Sequence, residues 1–344
     1  MIDYKRSPKS KFKDPIIAIS IIMLTLIIFA CSVDKNWQIP VYEEIIYTCD
    51  FEGSNLQEIY ATGLNYVSFI PNKDCLIYRR KNSLYLFGIN SSNEVKISGD
   101  LYVNNDNPPS LNDQGDLLCF SVLRNQKSDI FLYDFNDRAL INITNSNSYS
   151  ELWGSLSHDG SKIVYVQQES SDFNDILMTY DYLTQEIDTL IIVDDNNNIS
   201  NPIFSYNDDK IFYKNLFSRT GSVYCYDILQ ETEHLIYDNI SLAHNYLTTS
   251  SNNNLCFIGG NSFIYLYDFV DNSILPISQG FYPDISRDGY KVAFSTSAAP
   301  ETGKIKVLDL LSSNLITINT DFGRYPKFSI SSNEIVFLAE IQMN

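Results

Sequence analysis

The sequence predicts an all-β fold: a seven-bladed β-propeller with four-stranded antiparallel blades. Three observations carry that prediction. A polar turn between two short apolar strands recurs seven times, at steps of 36 to 48 residues. A period in the forties with several strands per repeat is the mark of a propeller. In six of the seven repeats a third strand closes on an aromatic residue or Leu followed by Asp or Gly. The 24 Tyr and 20 Phe, with few Ala, favour strands over helices.

The amino terminus reads as an address rather than a domain. Residues 1–14 are basic and polar, and residues 15–30 form one uncharged apolar run. That run is shorter than the roughly 20 residues a spanning helix needs, and it has the layout of a secretory signal. The alternative is an uncleaved membrane anchor, and on either reading the folded body lies outside the cytoplasm. Ile28-Phe29-Ala30-Cys31 resembles the bacterial lipobox. The resemblance implies removal of residues 1–30 and lipidation of Cys31, with Phe29 bulkier than the family's usual residue there. Ser32 in place of Asp implies, on the same resemblance, an outer-membrane address, facing the periplasm or the cell surface. Residues 31–40 read as a tether without apolar periodicity, and the propeller is expected over 41–344.

The blades follow in order. Innermost strands are expected to start near Tyr66, Asn107, Trp153, Asn201, Tyr246, Tyr282 and Tyr325. Second strands fall at 75–78, 117–120, 163–166, 211–213, 255–258, 292–294 and 335–338. They are short, rich in β-branched and aromatic residues, and bounded by Asn, Asp and Gly. Third strands end as Phe131-Leu-Tyr-Asp134, Met178-Thr-Tyr-Asp181, Tyr224-Cys-Tyr-Asp227, Tyr265-Leu-Tyr-Asp268 and Lys306-Val-Leu-Asp309, with Gly88 standing for Asp in the first blade. Asp and Gly are turn residues, so each signature predicts a tight turn into a fourth strand. The seventh repeat stops after its second strand. Its missing half is at the front of the chain, where 44–50 end on Asp50 and 56–60 follow a turn. Strands from both ends of the chain would therefore complete one blade, which removes an exposed sheet edge. The short step before Tyr282 leaves six or eight blades as the alternative counts.

Composition excludes some functions. The net charge is −18, and without the five basic and two acidic residues of 1–30, 19 basic residues face 40 acidic ones. Such a charge repels phosphate backbones, so nucleic acid is not an expected partner. Cys49, Cys75, Cys119, Cys225 and Cys256 are odd in number and lack short pairings. They read as buried thiols acting as small hydrophobes, with one bridge between blades as the alternative.

The turns Ser157-His-Asp-Gly160 and Ser286-Arg-Asp-Gly289, each leading into an apolar triplet, resemble the Ser-Pro-Asp-Gly repeat of TolB-like propellers. Asp50-Phe-Glu-Gly-Ser-Asn55 resembles the Asp-Gly-Ser-Asn turn of the same repeats. The resemblance covers about residues 41–344 and implies fold more than function. TolB itself carries an α/β domain ahead of its propeller and is soluble in the periplasm, whereas here about ten residues separate Cys31 from the first strand. TolB's own partners are therefore not carried over.

No zinc-protease helix, nucleophile elbow, phosphate loop or spaced Cys/His set occurs, and no metal or cofactor is expected. His158 stands where the family carries Pro and reads as a solvent-facing turn residue. The run 193–198 offers oxygen atoms but not the spacing or Gly of a calcium loop. The candidate site is the ring of residues opening the innermost strands: Tyr66, Asn107, Trp153, Asn201, Tyr246, Tyr282 and Tyr325. Aromatic rings with polar tips suit a wet surface for a peptide or a glycan, and they serve equally as wedges between blades. The expected function is a membrane-tethered, non-catalytic propeller that binds an envelope protein or peptide. The alternative is a carbohydrate-binding or carbohydrate-active propeller of the lyase or glycosidase type. Facing carboxylates with aromatics beside them would favour the enzyme, and an apolar mouth poor in carboxylates would favour protein recognition.

Overall fold

The computed structural model describes residues 41–59, 64–105, 108–169, 174–193, 197–217, 220–240, 247–299, 302–320 and 322–343. Within them the chain forms seven antiparallel sheets and no helix. The third blade shows the pattern: Tyr149–Leu156, Lys162–Glu169, Asp175–Asp181 and Ile187–Ile192 pair in sequence order. The second blade departs from it, because its innermost strand is interrupted into Tyr102–Val103 and Ser110–Leu111, which both pair with Leu117–Arg124. In the fifth blade the described innermost strand is only Thr248–Thr249.

The seventh blade is built from both ends of the chain. Its order is Gln57–Ile59, Val41–Asp50, Glu334–Met343, Arg324–Phe328. The expected composite blade is thus present. Arg324 ion-pairs with Glu44 across this junction.

The hydrophobic core lies between blades rather than inside one. Second strands alternate, so successive side chains enter opposite seams. In Cys75–Arg80, Leu76 and Tyr78 pack with Ile46, Val336 and Leu338 of the seventh blade. Ile77 packs instead with Leu118, Phe120 and Val122 of the second. A strand buried on both faces needs a continuous apolar run, which is why these segments read as runs rather than alternations. Cys119 and Cys256 are fully buried in such strands, Cys225 is fully buried in the third strand Thr220–Asp227, and all five described cysteines are free thiols. Burial pushes the Cys119 and Cys256 thiols well above their ordinary range. They are space-filling groups.

Every antiparallel blade has two ends. The turns from first to second strand and from third to fourth strand lie at one end, here called the turn side. The innermost strands run towards it, while Val41–Asp50 enters the seventh blade from the opposite end.

Candidate binding site at the turn-side mouth of the channel

The polar turns are held by one repeated device. In Ser157-His158-Asp159-Gly160 the Ser157 hydroxyl donates to Asp159 at 2.7 Å and accepts the Lys162 N–H at 2.8 Å. Ser286 does the same with Asp288 and Lys291, at 2.6 and 2.9 Å. The divergent copies keep the mechanism: Ser205 donates to Asp209 at 2.7 Å and accepts the Lys210 N–H at 3.0 Å. In the second blade the Asn112 carboxamide oxygen accepts the Leu117 N–H at 3.0 Å. Because the first turn residue is bonded inward to its own turn, the second is left to face the axis.

That second position carries Pro71, Asp113, His158, Tyr206, Arg287 and Ile330 in six of the blades, and all six line one central cavity of about 290 Å³. Four of them form a closed set. The Arg287 guanidinium donates to Asp113 at 2.5 Å and to the Tyr206 hydroxyl at 2.8 Å. It also lies 5.0 Å over the Tyr206 ring, a cation–π arrangement. His158 Nδ1 is 3.1 Å from the other Asp113 oxygen, and its ring meets Tyr206 with centroids 5.1 Å apart. The Arg287–Asp113 bond crosses the channel between the sixth and second blades. Burial pushes the Asp113 carboxyl up, but hydrogen bonds from His158 and Arg287 outweigh it and hold the group below the usual carboxylate range.

Behind this set lies a second charged pair. Lys327 donates to buried Asp284 at 2.8 Å, and the other Asp284 oxygen accepts the Phe328 N–H at 2.8 Å. Hydroxyls tie neighbouring innermost strands together: Ser110 accepts the Leu156 N–H at 3.1 Å and Thr248 accepts the Ile285 N–H at 3.3 Å. Phe69, Leu156, Phe204 and Phe328 supply apolar wall. The cavity thus offers two cations, each matched by a carboxylate, in a chain whose overall charge is −18. Its chemistry is recognition of a small polar group with an apolar flank.

Of the seven positions expected at the channel mouth, five are described, and four of these do not line this cavity. Trp153, Asn201, Tyr282 and Tyr325 are indeed equivalent, with φ of 60°, 50°, 54° and 54°. Each occupies a bulge inside its innermost strand, with register shifts at Leu152/Ser155, Ser200/Ile203, Phe281/Asp284 and Arg324/Lys327. Gly154, Pro202, Pro283 or Pro326 follows, and a bulge is where a strand can take a residue that contributes little to the ladder. The rings then enter the seams. Trp153 packs against the cluster of the third and fourth blades. Tyr282 is 3% exposed, donates to the Ala298 carbonyl at 3.3 Å, and meets the Tyr325 ring at 4.2 Å. Tyr325 also packs against the core between the seventh and first blades. Tyr66 alone of the described five lines the turn-side cavity, donating to the Pro109 carbonyl at 3.1 Å. Asn107, Tyr246 and Cys31 lie outside the described residues.

Sequence reasoning passed over Asp113, Tyr206 and Arg287, and set His158 aside as a turn residue. The signal was present in the turns themselves: His158 and Arg287 stand where the resembling repeat carries Pro, and nothing in turn geometry asks for either.

No protein-family model matches the chain, and no curated protein matches it in sequence. Solved structures share its fold. An oligogalacturonate lyase in complex with manganese aligns with a TM-score of 0.65 at 11% identity, over 87% of this chain and 97% of that one. An oligogalacturonate lyase from Vibrio parahaemolyticus aligns at 0.62 and 10% identity, over 87% and 98%. A putative TolB from Agrobacterium tumefaciens aligns at 0.56 and 13% identity, over 88% and 100%. At these identities the likeness is one of fold, and the fold is that of a TolB-like propeller.

Proposed function

We propose that this chain is a membrane-tethered, non-catalytic propeller of the bacterial cell envelope that binds a protein or peptide partner at the turn-side mouth of its channel. The lipid anchor would be Cys31, at the outer membrane. The observation that carries the reading is the closed set Arg287–Asp113–His158–Tyr206. Asp113 occupies Arg287 as a carboxylate ligand would, so an acidic side chain or a chain terminus of a partner can take its place without leaving a bare charge. Tyr206 and Phe328 offer flat apolar surface beside it. Both described channel carboxylates are paired with cations at 2.5 and 2.8 Å, which suits recognition better than proton abstraction.

The test is recovery of envelope proteins with the solubilised, lipid-anchored chain. Arg287→Ala is expected to lose the partner that wild type retains. A partner retained in full by both Arg287→Ala and Tyr206→Ala would refute a site at this mouth.

A second reading, carbohydrate binding or lysis, draws on the fold shared with the two oligogalacturonate lyases and on the same arginine, which would pair with a uronate carboxylate. Among the described residues no three His, Cys, Asp or Glu side chains converge, and His158 and Asp113 are bonded to each other. Incubation with oligogalacturonate separates the readings: the binder leaves it intact, and an unsaturated uronate product that disappears in Arg287→Ala would establish the enzyme.

A further inference from the structure

The turn side carries a second feature, outside the channel. The tip of each turn from third to fourth strand comes two residues after the Asp or Gly signature. In the first, second and seventh blades that tip is Asn90, Asn136 or Glu52, as tight turns prefer. In the third to sixth blades, four neighbours in the ring, it is Leu183, Leu229, Val270 and Leu311, which are 81%, 90%, 66% and 74% exposed. These tips are held in place. The signature carboxylates accept the N–H of Leu183, Val270 and Leu311 at 3.0, 2.8 and 2.9 Å, and in the fourth blade that of Gln230 at 2.9 Å. Each tip has a second exposed aliphatic neighbour on the adjoining fourth strand: Ile187, Leu235, Leu275 and Leu315.

A mobile loop can fold its leucine inward, but a turn pinned by its own carboxylate cannot. Four rigid aliphatic knobs on adjacent blades of one face are an unsatisfied apolar surface. The turns between them are acidic, with Asp159, Asp208, Asp209, Glu231, Asp271 and Asp288 on the same side. The cations at this end are already matched: Arg287 is bonded to Asp113, Lys162 to Asp181, Lys210 to Asp209 and Asp227, and Lys291 to Asp288, so the remaining carboxylates leave the face acidic. That charge disfavours an anionic bilayer and disfavours a second copy of the same face. Val41–Asp50 enters the ring from the opposite end.

We propose that the arc Leu183–Leu229–Val270–Leu311 is a docking surface for a protein partner with an apolar face flanked by lysine or arginine. The proposal deepens the reading above by giving the partner its chemistry, and it rests on a protein rather than a glycan as ligand.

The probe is a synthetic amphipathic Leu/Lys peptide, compared with a Ser/Lys peptide of equal charge, titrated by fluorescence anisotropy into the full-length detergent-solubilised protein. Wild type is expected to bind the Leu/Lys peptide at least tenfold more tightly than the Ser/Lys peptide, and more weakly as salt rises. A variant with Leu183, Leu229, Val270 and Leu311 all changed to Ser is expected to lose that preference while keeping its melting temperature. Ile192→Ser with Phe217→Ser, exposed apolar residues at the other end of their blades, should bind like wild type. Equal binding by wild type and the fourfold variant overturns the proposal. So does self-association, or flotation with anionic vesicles, that depends on the four residues. Partner recovery that fails with Arg287→Ala but survives the fourfold variant would keep the channel reading and end this one.

Discussion

Arg287 stands at a turn position where the resembling repeat carries proline, and its guanidinium reaches across the channel to a carboxylate in another blade. Removing it leaves Asp113 with His158 as its partner in the mouth, so the loss should be felt at the mouth rather than in the fold. The depressed Asp113 pKa fixes a pH dependence. Its stabilising contribution is fully present above the ordinary carboxylate pKa of about 4 and is lost as pH falls through the lower folded value. Asp113→Asn should therefore be less stable than wild type at pH 7 and differ little from it at pH values below the folded carboxyl's titration, as read from urea midpoints. Glu151 behaves oppositely. It is 1% exposed, and burial together with the Asp129 charge pushes its carboxyl up to about 7. The folded state holds that proton where the unfolded chain has released it, so the group costs stability increasingly as pH rises from about 4 to above 7. Glu151→Gln is expected to raise stability at pH 8 by about 1–3 kcal/mol and to leave it nearly unchanged at pH 4, as read from urea midpoints.

At the scale of elements, the serine turns and the bulges do most to specify the ring. Ser286 is fully buried and bonds twice within its turn, so Ser286→Ala should cost about 1–2 kcal/mol by leaving the Lys291 N–H without its acceptor. Gly115 is stricter. Its φ is +68°, and a Cβ there would lie 2.1 Å from the Pro71 carbonyl oxygen of the neighbouring blade. Gly115→Ala should lower stability by about 2–4 kcal/mol, since left-handed strain and a backbone clash act together. A melting temperature within a degree of wild type would contradict that account. Strand positions were legible in the sequence because both periodicity and turn residues marked them. The channel end was not. Trp153, Tyr282 and Tyr325 align in the repeat, but alignment does not tell a bulge from a strand start, and a left-handed φ turns a ring from the axis into a seam. His158 and Arg287 were visible as departures from the repeat, yet no sequence spacing shows that Arg287 and Asp113 meet across the ring.

For the whole molecule, closure decides both stability and site. Glu334–Met343 joins strand 324–328 to strand 41–50, and every seam holds apolar residues from two blades. Truncation before Glu334 should therefore do more than remove one strand. It should unpair the amino-terminal strand, open two seams, and replace a single cooperative unfolding transition by a broad or absent one in calorimetry. This closure was legible from the half-repeats at either end. The function was not legible to the same degree, because the fold is shared by binders and enzymes and the site uses residues that the repeat does not require. The central claim is that the turn-side mouth, and not the ring of bulge aromatics, binds the partner. Quantitative recovery of the cross-linked envelope partner by wild type, Arg287→Ala and Trp153→Phe tests it most directly. The account predicts loss with Arg287→Ala and retention with Trp153→Phe, and the reverse pattern in two folded variants would contradict it.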